Sequence, residues 1–273
     1  MASFMDLPYE VQCKIFLLIV PEDFSTVCSV SKHWNCAMND SITWIGRLKE
    51  VNIHSAPDVL HFILFDRKEM ISYYQLQCKS NLLRNINMDV GKADLTEEEN
   101  FNPNPKYWDY HRGDWKIERH RGCDPFPAEA RFARYNCVTS YSSCLRHQKI
   151  DLSKWYPNIA NLITNGFKVR VYWTVWIAAR YDCHSKYRAF ILYGAGGRKS
   201  DENNCENIPL GNENIPAGRK WLKLSKTIDL NPSKGTVFWY YESAQDGKFW
   251  AGHYGAKILN PTIAVRIIPI SDN

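Results

Sequence analysis

The chain has 273 residues, 45% hydrophobic and 14% aromatic, which is long for one domain and enough to bury a core in each of two. The formal charge of +5 is uneven: residues 1–60 carry −3 and the rest +8, but the later basic residues are scattered, which argues against a nucleic-acid surface. The longest apolar run, Ile15 to Val20, is too short to span a bilayer, and the start MASFMDLPYE has no basic leader segment, so neither secretion nor stable membrane insertion is expected.

The first fifty residues read as a small helical unit. Asp6-Leu7-Pro8 with Glu10 places Pro and acids where a helix begins, and Val11, Ile15, Leu18 and Ile19 follow at helical spacing until Pro21 stops them. Asp23 or Ser25 can cap a second helix bearing Val27 and Val30, with Trp34 one turn on. Residues 51–84 keep a helical pattern, with Val59, Leu60, Ile63, Leu64, Met70, Ile71 and Tyr74 apolar, and read as a connector. Residues 85–112, with GKADLTEEEN and NPNPKYW, read as an irregular loop, and the domain boundary falls near residue 80.

From 113 to 273 the period changes from helical to alternating. In KVRVYWTVWI, Val169, Val171, Trp173, Val175 and Ile177 line one face, and Arg170, Tyr172, Thr174 and Trp176 the other. YRAFILY, KWLKLSKTI, TVFWYYES and AVRIIPI are further short β-rich runs separated by Gly, Pro, Asn and Asp. The fold class is therefore α+β, a small helical unit followed by an antiparallel β-sandwich of jelly-roll type.

Motifs for chemistry are weak. YGAGGRKS, residues 193–200, lacks the Gly before Lys that a phosphate loop needs, and DENNCENIP follows where a helix should begin; it reads as a flexible loop between strands. Cys144 and His147 lie three apart in an extended segment, where their side chains diverge, so they make no nucleophile and base. The nine cysteines show no C-x-x-C pair and no paired His spacing, which points to reduced thiols filling the core rather than disulfides or zinc. No catalytic role, cofactor or metal is expected. Ten Trp and fifteen Tyr favour a binding module over an enzyme. DGKFWAGHYGAKI, residues 246–258, adds a question of its own: Phe249 and Trp250 are neighbours, and in a strand only one of them could enter a core.

Residue types and spacing in DLPYEVQCKIFLLIV, VCSVSKHWNCAM and ITW resemble an F-box, with Leu7-Pro8, Glu10, Ile15, Leu18, Val27, Cys28, Val30, Trp34 and Trp44 in place. The remainder resembles the F-box-associated domain of the small glycoprotein-recognising F-box proteins, through NLLRN (81–85), Trp115-Lys116, Cys144 through HQKIDL, WIAARYDCHSKY, Tyr240 to Glu242 and FWAGHYGAKI.

The first resemblance implies docking on the Skp adaptor of a cullin-based SCF ubiquitin ligase, with Leu7, Pro8, Ile15 and Trp34 as the contacts, by the burial of apolar side chains that helix-in-groove partners use. The second implies a galactose-binding-like sandwich that holds the inner sugars of high-mannose N-glycans. Its family positions fall on Tyr141, Asp182, Phe249, Trp250 and Ala251; the last stands where relatives carry Lys. Together they imply a non-catalytic, cytoplasmic subunit that recruits glycoproteins for ubiquitination, endoplasmic-reticulum-associated degradation and the proteasome. Two other readings fit the same residues: a protein or degron ligand in place of sugar, or an adaptor-bound client-binding protein outside a ligase.

Overall fold

A computed structural model describes residues 11, 15, 30, 81–84, 107–119, 123–130, 133, 135–154, 156, 159–160, 167–194, 205–218, 220–230, 235–247 and 252–269. The chain divides into two compact units. One comprises Ser80–Asp151 and Arg170–Val265; the other comprises Met1–Lys79, Leu152–Val169 and Arg266–Asn273. In the second unit Val11, Ile15 and Val30 are helical and exposed. A short turn there is closed by Tyr156 N–H to Leu152 O (3.0 Å) and Ile159 N–H to Tyr156 O (3.1 Å).

The strands are β1 (Asp109–Arg112), β2 (Trp115–Glu118), β3 (Asn136–Thr139), β4 (Cys144–Asp151), β5 (Phe167–Ala178), β6 (Ser185–Tyr193), β7 (Glu206–Ile215), β8 (Leu222–Leu230), β9 (Val237–Asp246) and β10 (Lys257–Pro269). They form two five-stranded sheets, ordered β1-β4-β9-β6-β7 and β2-β3-β10-β5-β8. The pairings β1–β4, β4–β9, β6–β9, β6–β7, β2–β3 and β3–β10 are antiparallel. Taking β3 to β10, successive strands place 4-9-6-7 in one sheet and 3-10-5-8 in the other, the strand order of a jelly roll, with β1 and β2 widening one edge of each.

The alternation expected in β5 is present: Val171, Trp173, Val175 and Ile177 are buried, while Arg170, Thr174 and Trp176 are half-buried and Tyr172 is exposed. Strand β9 alternates as cleanly, burying Phe238, Tyr240, Glu242, Ala244 and Asp246. The sheet begins earlier than residue 113, because Asp109–Arg112 already pairs with β4. Strand β7 was not legible from residue pattern: it starts inside DENNCENIP and carries Pro209 and exposed polar residues, yet pairs with β6 along its length. A bulge at Ala189–Phe190 absorbs its irregularity, and at Gly211 a Cβ would come within 2.9 Å of the Trp173 ring, so no larger residue fits there.

The NLLRN segment is fastened into this unit by side chains that imitate backbone. The Asn81 carboxamide accepts from Ile263 N–H (2.9 Å) and donates to Pro261 O (3.0 Å), and Leu82 N–H donates to Ile263 O (2.7 Å). Gln148 on β4 exchanges two hydrogen bonds with the Arg84 backbone, at 3.0 and 2.8 Å. Leu82 and Leu83 are consequently buried.

Between the sheets lies a charged pair with no exposed surface. Arg146 and Glu242 are direct cross-strand partners of β4 and β9, with Nε and Nη2 of Arg146 at 2.7 and 2.5 Å from Glu242 Oε2. The other carboxylate oxygen accepts from Tyr240 (2.7 Å) and Tyr187 (3.0 Å), and Tyr240 Oη in turn accepts from the Trp173 indole (3.0 Å). The guanidinium lies over Trp108 (4.0 Å) and Trp115 (4.8 Å). Burial, the largest single influence, opposes charge on Arg146, but Glu242, Cys137 and Tyr110 together outweigh it and the pKa is raised. Burial, then Glu242, pushes both tyrosine hydroxyls well above 10.

Replacing one charge of this pair leaves the other buried and uncompensated. Glu242→Gln is expected to lower stability by about 3–5 kcal/mol in urea unfolding of the full chain; a loss below about 1 kcal/mol would show that the pair is dispensable. A pH dependence follows from Cys137, whose thiol burial pushes up from 9.0 to about 12. As pH rises the unfolded thiol ionises first, so its stabilising contribution is complete below pH 9 and lost towards pH 12. Urea midpoints should fall across that window, and fall less in Cys137→Ala.

Candidate functional site

Five connections gather at one end of the sandwich: β1–β2 with Asp114, β3–β4 with Tyr141, β5–β6 with Arg180 to His184, β7–β8 with Gly218, and β9–β10, which leaves at Gly247 and returns at Gly252. Backbone hydrogen bonds tie them together. Ser140 N–H donates to Asp114 O (3.0 Å), Asp246 N–H to Ser140 O (3.3 Å), Gly247 N–H to His184 O (2.7 Å) and Gly218 N–H to Arg180 O (3.1 Å). Thr139 and the returning chain exchange bonds, Gly255 N–H to Thr139 O (2.9 Å) and Thr139 N–H to Ala256 O (3.2 Å).

Two of the four predicted carbohydrate residues lie within the described residues, on neighbouring loops. Tyr141 is exposed. Asp182 is half-buried, its Oδ1 3.0 Å from Arg180 Nε. Phe249, Trp250 and Ala251 lie outside the described residues; the nearest described positions before and after them, Gly247 and Gly252, belong to the same end. Of the adaptor-contact candidates only Ile15 is described, as a helical, exposed residue; Leu7, Pro8 and Trp34 lie outside.

Arg180 was missed from sequence and organises the loop. It pairs with Asp182, and its guanidinium sits 4.3 Å over the Tyr254 ring of the β9–β10 connection and 5.3 Å over Tyr181. Beside it opens a polar cleft of about 490 Å³. Lys116 and Glu118 line it from β2, Arg180 and Tyr181 from the β5–β6 loop, and His253, Tyr254 and Lys257 from the β9–β10 connection. Lys257 Nζ pairs with Glu118, and His253 Nε2 stands 3.2 Å from Asp114. Nothing periodic marks these residues; most of them fall in the runs Trp115-Lys116, WIAARYDCHSKY and FWAGHYGAKI that carry the family resemblance, but that resemblance gave them no role.

Cys144 and His147 diverge as strand geometry requires. The thiol donates to Asp114 O (3.2 Å), and burial raises its pKa. The imidazole stacks instead on His111 (4.3 Å) and Tyr241 (5.0 Å). Among the described residues no group of three or more His, Cys, Asp or Glu is placed to hold a metal ion, and no helix is long and apolar enough to cross a membrane.

A family model described as F-box associated region matches residues 73–265. The chain belongs to the F-box-associated family. A second model, F-box-like, matches residues 4–47. Mouse F-box only protein 27 is 31% identical over 163 residues, covering 58% of this chain and 54% of that protein. Human F-box only protein 44 is 28% identical over 137 residues, 47% of this chain and 49% of that protein. Against these two relatives the chain spans about half their length. Mouse F-box only protein 6 is 23% identical over 282 residues, 97% of this chain and 84% of that protein.

In this F-box-associated region, Gly255 lies where the returning loop packs directly against Thr139 of β3. A Cβ there would collide with Thr139 Oγ1 and lie 2.7 Å from the Thr139 carbonyl oxygen, a backbone atom that cannot step aside. Gly255→Ala is expected to destabilise the fold by about 1–3 kcal/mol, read as a lowered urea midpoint. An unchanged midpoint would mean that the loop is not held there.

Proposed function

We propose that the chain is the substrate-recognition subunit of an SCF-type ubiquitin ligase, acting on glycoproteins in the cytoplasm and leading them to proteasomal degradation. The observation that carries the reading is the pairing in one chain of an F-box-like match with an F-box-associated match. The F-box-like segment docks on the Skp adaptor, and through it on the cullin scaffold, by Leu7, Pro8, Ile15 and Trp34. The sandwich performs no chemistry; it raises the local concentration of substrate lysines near the charged ubiquitin enzyme.

The ligand end of this reading is a high-mannose N-glycan. A pyranose ring has an apolar C–H face that lies well on an indole or phenyl plane, and its hydroxyls need fixed acceptors. Exposed Tyr141 and half-buried Asp182, on loops tied to the connection that carries Phe249 and Trp250, support that assignment. Trp250 serves as the platform and Asp182 as the orienting acceptor. Phe249 brings no hydroxyl and Ala251 no ammonium, so affinity is set lower than in a site with both, by about 0.5–3 kcal/mol for each missing polar contact. Ala251 is also the residue that favours a second reading, a protein surface or degron in place of sugar.

On a glycan array, the full chain should bind high-mannose N-glycans, Trp250→Ala and Asp182→Asn should each lose that signal with an unchanged thermal melt, and Ala251→Lys should strengthen it. Absence of glycan binding in both the native chain and Ala251→Lys would favour the protein ligand. Deleting residues 4–47 should abolish co-purification with the Skp adaptor; retention would defeat the ligase reading.

A further inference from the structure

The residues lining the cleft beside Arg180 are not among the sugar contacts that the family resemblance implies, and their chemistry is specific enough to name an occupant. Its volume of about 490 Å³ falls within the range of small-molecule sites, about 300–1,000 Å³. Most of its charged side chains face a carboxylate, one in its wall and two just behind it. Lys257 is paired with Glu118, Arg180 with Asp182 at 3.0 Å, and His253 faces Asp114 at 3.2 Å. Lys116 is held in no ion pair among the described residues.

Such walls suit a neutral, hydroxyl-rich ligand better than an ion. A multiply charged anion would find one uncommitted ammonium and nearby carboxylates. Paired ions, by contrast, keep spare hydrogen-bonding capacity while losing net charge: a guanidinium has five N–H groups and a carboxylate about four acceptor sites, more than one contact consumes. A sugar hydroxyl both donates and accepts, so alternating fixed donors and acceptors match it. Tyr181, 50% exposed at the rim, adds a ring face for the apolar side of a pyranose.

We infer that this cleft is a second sugar subsite, taking outer residues of the glycan whose inner sugars sit at Asp182. The inference rests on the glycan reading above. The link between the two subsites is Arg180, which holds the Asp182 carboxylate with one nitrogen and lines the cleft with the same guanidinium. A ligand leaving Asp182 towards Tyr181 enters the cleft without crossing another loop in sequence, since residues 180–182 are contiguous.

The test compares two probes on the full chain by calorimetry: the inner N-acetylglucosamine disaccharide alone and the complete high-mannose glycan. The native chain should bind the complete glycan about tenfold more tightly than the disaccharide, the gain that one well-made charged hydrogen bond supplies. Lys116→Ala, a change at a side chain without an ion-pair partner, should erase most of that gain, leave disaccharide affinity unchanged and keep the thermal melt. Tyr181→Ala should also reduce the gain. Disaccharide binding with no gain for the complete glycan would overturn the cleft alone, as would Lys116→Ala weakening both probes equally. Binding of neither probe would overturn the glycan reading and the subsite with it.

Discussion

The sandwich is organised around a charge that has nowhere to go. Arg146 and Glu242 are both fully buried, and such a pair is tolerable only when nearly every remaining donor and acceptor is met. That requirement reaches across both sheets. The tyrosines that satisfy Glu242 come from β6 and β9, the indole that satisfies Tyr240 comes from β5, and the ring of Trp115 over the guanidinium comes from β2. An apolar core would accept small slips of strand against strand. This one does not, because a slip of one residue in β9 would carry Glu242 to the solvent face.

Rigid strands allow the proposed ligand end to be made of loops. The connections that bear Tyr141 and Asp182 are short, start from strands fixed by the buried network, and are tied to one another by main-chain bonds that any residue could make. Side-chain identity in these loops is therefore free to serve a ligand, which is why aromatic and charged residues gather there without cost to the core. Arg180 is the exception that does both, since its main-chain carbonyl and its side chain each hold a different loop.

Much of this was legible in sequence, and the illegible parts share a cause. Alternation in KVRVYWTVWI and TVFWYYES announced central strands because both of their faces are defined by burial, and the change of period near residue 110 announced the sandwich. β7 was silent because an edge strand with half its surface in water has no need of apolar residues. Asp182 and Tyr141, as proposed sugar contacts, rest on family resemblance rather than on pattern. The cleft was out of reach altogether, since Lys116, Arg180 and Tyr254 are brought together from three strands and loops far apart in the chain. In the same way NLLRN is a recognisable run, yet the reason for it, carboxamides standing in for main chain on β10 and β4, is visible only in three dimensions.

The sheet margin at β7 has a bearing on the company such a protein keeps. Pro209 contributes no N–H to that margin, the bulge at Ala189–Phe190 bends it, and the ammonium of Lys226 occupies the Pro209 carbonyl at 2.6 Å. At Pro209 an unfolded segment looking for a template to extend finds neither an N–H nor a free carbonyl. For a subunit whose proposed clients are other polypeptides held close for some time, an interruption at this point works against adding a client strand to its own sheet.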